Sequence, residues 1–391
     1  MNRRNFLKVC GVATAWPIVN DVFSWPSPAA AAVNRLEKWA PTSDTKVRVE
    51  WRYLAGRIVD GDQDIGFIIS MSDVKVSGAE GNALTVHRQN FTGNQEFAGK
   101  TYVGDLTYDD VSATYTFKDE GGQQLVTWQW DDTAQVYKLS ISTPELTLAN
   151  ITITPQGPMI EEGGDGVLNV GRIGTTIIDS VYHADWAMIE IGGHQKGVAR
   201  IDFQGLRRAG PSSVVSNDYD HRWFAIAVDL ADGKPAWISV WKIQDPDGPY
   251  WVVTIARGSD TTWTVMSFTE EDEGTMADPL NIRATAWQNI PATAGTPGST
   301  GQAWHITAGT TNPGDLLDLR VSVLPGQFIT SDTNTLASWL QEAVSLQAEG
   351  TVLGSSIGSV KMVAVESSTE TSPSTEPGNN VIFLPAIFRN L

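Results

Sequence analysis

Several short constellations in this chain hold side chains able to do chemistry. The run Asn217-Asp218-Tyr219-Asp220-His221-Arg222-Trp223 sets a carboxyl group against an imidazole, with an aromatic ring on either side. An acid next to an imidazole can donate, accept or relay a proton. Asn217 and Asp218 are also turn formers, so the same residues read equally as a polar turn entering a strand. His183 and Asp185 stand two apart and share one face if their segment is extended. Zinc needs a third ligand, and His87, His194 and His305 stand at no spacing that supplies it. Asp60, Asp62 and Asp64 alternate like calcium ligands. The glycine that loop requires comes one residue late, and Met71 occupies its last ligand position, so a hairpin turn is expected. Gly354-Ser355-Ser356-Ile357-Gly358 spells a serine-hydrolase string, but a nucleophile elbow lies between a strand and a helix, and this one joins two β segments. No metal and no cofactor is expected.

The elements that would carry these residues follow one rhythm from Val47 onward. Short runs rich in Val, Ile, Thr, Tyr and Trp alternate with Gly, Asp, Asn and Pro, as in Val47 to Val59, Leu125 to Trp130, Trp223 to Leu230 and Tyr250 to Arg257. This is the pattern of strands and hairpins. Turn signals fill the gaps, among them Asp60-Gly61, Asp232-Gly233 and Asp247-Gly248. No long stretch keeps a helical period, so an all-β barrel or sandwich is expected and a parallel α/β fold is excluded. Of the 15 tryptophans, most sit in strands, including Trp51, Trp128, Trp130, Trp186, Trp223, Trp237, Trp241, Trp251 and Trp263. Such rings fill a small barrel or line an apolar pocket. Pro155 to Gly174, rich in glycine and acid, reads as a long loop; Ala209 to Asn217 reads as the irregular stretch before a second unit.

The ends and the composition bound the setting. Asn2-Arg3-Arg4-Asn5-Phe6-Leu7-Lys8, an apolar stretch and the small residues Ala29 to Ala32 make residues 1–32 a twin-arginine signal peptide, and a periplasmic, extracellular or cell-surface location is expected. Cys10 is the single cysteine and would leave with that leader, which removes disulfides, thiolate nucleophiles and cysteine-bound metals from consideration. The net charge of −18 grows by two units when Arg3, Arg4, Lys8 and Asp21 depart. Nucleic acid is therefore not an expected partner, nor is an anionic membrane surface. Residues 367–380, rich in Ser, Thr and Pro, read as a flexible linker, and 381–391 (VIFLPAIFRNL) as an apolar tag serving either surface attachment or an added strand.

Glu50-Trp51-Arg52-Tyr53-Leu54-Ala55-Gly56, followed by Gly66-Phe67, resembles the opening strands of the AttH-like and acyclic carotenoid 1,2-hydratase superfamily, with Arg52 where that pattern has a second tryptophan. Ser338 to Val344 and Ile357 to Met362 are similar to its closing strands, and Asp220-His221-Arg222-Trp223-Phe224 is similar to two of its central motifs merged into one. The resemblance covers about residues 46–366. It implies an all-β chain of two lipocalin-like antiparallel β-barrels of the calycin type, at 46–208 and 209–366. It further implies a hydrophobic small-molecule ligand, isoprenoid or polyketide-like, and a cofactor-independent hydratase, isomerase or cyclase. Adding water to an isolated alkene requires a carboxylic acid kept neutral by apolar surroundings. By this resemblance Asp220 is that acid and His221 its relay, Tyr219 and Trp223 face the developing cation, and Trp51, Tyr53 and Trp241 line the ligand. A non-catalytic carrier and a surface-attached structural protein remain open beside it.

Overall fold

A computed structural model describes residues 35–45, 47–76, 79–92, 97–173, 176–207, 222–245, 248–259, 262–271, 283–290, 301–309, 316–328 and 339–368. Their alternation of apolar and polar side chains folds, as expected, almost wholly into antiparallel strands. The first sheet comprises β1 (Val47–Asp60), β2 (Gln63–Val76), β3 (Ala79–Asn90), β4 (Phe97–Asp109), β5 (Thr114–Asp119), β6 (Gln124–Asp131), β7 (Val136–Ser142), β8 (Thr147–Pro155), β9 (Ile160–Glu161), β10 (Val167–Ile173), β11 (Thr176–Ile191) and β12 (His194–Arg207). The order β11-β12-β1-β2-β3-β4-β5-β6-β7-β8 returns to β11 through Ala187↔Pro155 to Glu190↔Thr152, so ten strands close a barrel. β9 and β10 hang on β11 beyond the closure.

The second sheet holds β13 (Arg222–Leu230), β14 (Pro235–Asp245), β15 (Gly248–Gly258), β16 (Trp263–Glu271), β17 (Arg283–Ile290), β18 (Gly301–Ala308), β19 (Leu317–Phe328), β20 (Trp339–Val352) and β21 (Ser355–Ser368). Its order is β16-β15-β14-β13-β21-β20-β19-β18-β17, a curled half-barrel. In both sheets the first and last strands lie side by side: β1 pairs β12 from Val47↔Arg207 to Ile58↔Gly197, and β13 pairs β21 from Arg222↔Ser367 to Leu230↔Ile357.

The hairpins explain several of the sequence signals. Gly192 and Gly193 both take positive φ (60° and 78°) between the paired Ile191 and His194, the two-residue turn whose twist matches its strands. Gly354 (φ 73°) turns β20 into β21, so Ser355 and Ser356 open a strand and form no elbow. Two of the three alternating aspartates of the β1–β2 hairpin are in ion pairs, Asp64 with Arg57 at 2.5 Å and Asp60 with Lys196 at 2.6 Å. The stretch 155–174 departs from the expected loop. It holds β9, a 3-10 turn at Glu162–Gly164 and β10, because the left-handed Gly163, Gly164 and Gly166 turn the chain sharply enough for strand pairing to resume.

Burial divides the strands into two kinds. β6 and β7 alternate cleanly, with Val126, Trp128, Trp130, Tyr137, Leu139 and Ile141 inside the barrel. One wetted face and one packed face produce that pattern. β1, β11 and β12 are buried on both faces, the inner one in the barrel core and the outer one in a second cluster shared with β13, β14 and β15. The tryptophans divide accordingly: Trp128 and Trp130 fill the barrel, while Trp186, Trp237 and Trp241 pack between the sheets. One core ring comes from outside the strands. The short helix α1 (Arg35–Trp39) places Trp39, fully buried, among Tyr115, Trp128, Tyr137 and Phe203 at ring separations of 5.1 to 5.6 Å. Hiding a ring of that size removes about 200 Å² from water, worth about 5 kcal/mol before ordering costs.

Candidate functional site

The seam between the sheets is built from small and aromatic residues. Ala55, Ala184, Ala225, Ala227 and Ala256 let the two surfaces approach, and Tyr53, Tyr182, Trp186, Trp237 and Trp241 fill the space. Strand period sets a charged group into this surface: in Val198-Ala199-Arg200-Ile201-Asp202-Phe203 the odd-numbered residues face the barrel core and Arg200 and Asp202 face the seam. Both are buried. The 3-10 turn brings a third charged group, the fully buried Glu162.

These residues form a tight network. Arg200 donates from Nε to Asp202 Oδ1 at 2.7 Å and from Nη2 to Glu162 Oε1 at 3.2 Å, and the Tyr182 hydroxyl donates to Asp202 Oδ2 at 2.7 Å. The guanidinium also lies 5.5 Å from the Trp186 ring. Burial alone would lower the Arg200 pKa, but Asp202, Tyr182 and Glu162 outweigh it and keep the guanidinium charged. Burial pushes Glu162 above the usual carboxylate range, against the pull of Arg200 and a hydrogen bond with Ser239 of β14. Asp202 is raised by burial in the same way, against Arg200 and Tyr182. Two carboxyls thus bracket one guanidinium, and burial shifts both toward the neutral form.

A second polar group lies inside the barrel beneath α1. Asp185 accepts from Arg35 Nε at 3.2 Å and from the Tyr137 hydroxyl at 2.5 Å, and Arg35 also donates to the Gly157 carbonyl. Arg52, buried at the same mouth, donates to the carbonyls of Trp39 and Ala40 and to Glu50. His183 does share a face with Asp185, as its spacing required, and its Nδ1 is buried without a hydrogen-bond partner. Burial, with Lys38 and Arg52 nearby, holds its pKa down to about 3. A surface pocket of about 320 Å³ between Thr42, Asp44, Glu50, Asp73 and Lys75 is polar and unsuited to an apolar guest.

Of the residues singled out in the sequence, Trp51, Tyr53 and Trp241 come together at the seam, Tyr53 and Trp241 buried and Trp51 packed at its margin. Tyr182 meets Trp241 edge to face at 5.0 Å. Trp223 lies on β13, paired with Trp241 in the backbone register. Tyr219, Asp220 and His221 lie outside the described residues. Sequence reasoning missed Glu162, Tyr182, Arg200 and Asp202. The available signal was an Arg-x-Asp pair inside an otherwise apolar strand, where charged residues are rarely buried without partners.

The architecture is that of a lipocalin-like all-β protein with its two sheets packed back to back around a charged seam. No family model and no curated protein matches the chain. Among solved structures, an AttH candidate from Nitrosomonas europaea aligns with a TM-score of 0.50 at 14% identity, over 91% of this chain and 99% of that one. CghA aligns with a TM-score of 0.50 at 10% identity, over 84% of this chain and 90% of its own. Kievitone hydratase from Nectria haematococca gives 0.47 at 12% identity, over 83% and 90%. The chain has the lipocalin-like fold of the AttH-type proteins. At these identities the likeness is one of fold, and fold does not carry activity.

Proposed function

We propose that this protein takes a hydrophobic small molecule at the seam between its sheets and transforms it by acid catalysis without a cofactor, as a hydratase, isomerase or cyclase. The observation that carries this reading is the Glu162–Arg200–Asp202–Tyr182 network set in an aromatic, apolar wall. The seam is where apolar aromatic surface lies against buried carboxyls whose pKa values are raised by burial. In the proposed step the carboxyl O–H of Glu162 protonates an alkene carbon. The neighbouring cation then adds water and returns a proton to the carboxylate, or loses a proton from carbon and shifts the double bond. Tyr182 and Trp241 face that charge with their rings. Asp220 and His221, which precede β13 in the sequence, are proposed as a second acid and its relay.

Solvent extraction of the protein purified from its native host, followed by chromatography and mass spectrometry, identifies the bound compound. Glu162→Gln keeps the side chain's shape and removes the acid. Extracts of that variant should hold unconverted substrate where the unaltered chain holds product, and the Asp220→Asn extract measures that residue's share. A compound bound identically by all three proteins, with no conversion in any, would make the protein a carrier. Protein that extracts clean at every stage would leave the surface-attached structural role.

A further inference from the structure

The segment α1 occupies the barrel in the manner of a bound molecule. Its indole lies in a box of four aromatic rings and donates from Nε1 to the Ala113 carbonyl at 2.8 Å. The carbonyl of the same residue accepts from Arg52 Nε at 3.1 Å, Arg52 Nη2 at 2.9 Å and the Tyr115 hydroxyl at 3.0 Å. The ring and the carbonyl of one tryptophan thus each make specific contacts at the centre of this site. α1 is also tied by Arg35 to Asp185, which accepts from the Tyr137 hydroxyl, by Lys38 to Glu161 at 3.7 Å and by Leu36 against the barrel core, and the next carbonyl, that of Ala40, accepts from Arg52 at 2.8 Å. Independently, the buried Nδ1 of His183 on the same face of β11 has no hydrogen-bond partner even with α1 in place. That edge of the imidazole lies against Gly166.

We propose that the N-terminal barrel contains a binding site for an indole-type ring carrying a carbonyl oxygen, and that α1 is its intramolecular occupant, displaced when such a molecule binds. Aromatic walls supply the affinity for the ring. The Ala113 carbonyl reads the indole N–H, and Arg52 with Tyr115 reads the oxygen. Because α1 is tethered, it competes at an effective concentration in the millimolar range, so a free ligand has to bind well or be abundant. This site is separate from the seam, and its test does not depend on the seam's chemistry.

The test uses the full mature chain and N-acetyltryptophanamide as the probe, with 3-methylindole as the ring lacking the carbonyl. In Trp39→Gly, calorimetry should show the amide binding at least tenfold more tightly than 3-methylindole, and Tyr115→Phe in that background should narrow the gap. In the unaltered chain, tens of millimolar of the amide should speed hydrogen exchange at residues 36–41 while the strands keep their protection. Equal affinity for the two probes would reduce the site to a plain cavity and overturn the proposal. So would unchanged exchange of α1, which also decides the matter if Trp39→Gly does not fold. Glu162→Gln should leave both measurements as they are.

Discussion

His183 is the residue whose protonation should be most visible in stability. Its pKa is about 3 in the folded chain, against the ordinary value near 6.5 when unfolded, so between those limits only the unfolded chain takes up its proton. Its contribution is full above pH 6.5 and is lost as pH falls toward 3. Urea titrations should show the unaltered chain losing about 1.4 kcal/mol per pH unit relative to His183→Leu between pH 6 and 4. A difference independent of pH would mean the imidazole is not excluded from water. Glu162 and Asp202 carry the opposite sign, because raised carboxyl pKa values favour the fold at low pH and lose that share as the groups ionise. At this scale the sequence was partly legible. His183 and Asp185 announced a shared face, while Trp51, Tyr53 and Trp241, expected to line a ligand, meet in one packed cluster. Glu162 was hidden, because a glycine-rich acidic stretch looks the same whether it forms a loop or folds a carboxylate into a core.

Elements were easier to read than residues, since strand period and turn glycines act locally while the seam depends on which sheet meets which. The β11–β12 hairpin isolates that local effect. Gly193 has φ of +78° and nothing within 4 Å of where a Cβ would stand, so Gly193→Ala should be destabilising through backbone conformation alone. A loss of about 1 kcal/mol is expected by urea denaturation, with strand content unchanged in circular dichroism. A loss several times larger would point to an undescribed contact at the turn. Among the described elements α1 has no sequence signal, as β9 and the 3-10 turn had none. Five residues have no detectable helical period, and Trp39 is held by rings from β5, β6, β7 and β12 that no local pattern connects.

At the scale of the molecule, the barrel, half-barrel and seam form one body whose central strands are buried on both faces. That is consistent with export of an already folded chain, which we propose for the twin-arginine leader. Replacing Arg3 and Arg4 with lysines should hold the precursor in the cytoplasm; undiminished secretion of the variant would remove that route. The pairing of first and last strands in each sheet has a further consequence, for chain connectivity. Residues 47 and 207 are neighbours across β1 and β12, as are 222 and 367 across β13 and β21, so neither sheet depends on where along its circuit the backbone is cut. What the native order of the strands adds is the placement of α1 at the barrel mouth and of the end of β21 against the start of β13, where the chain enters the second sheet.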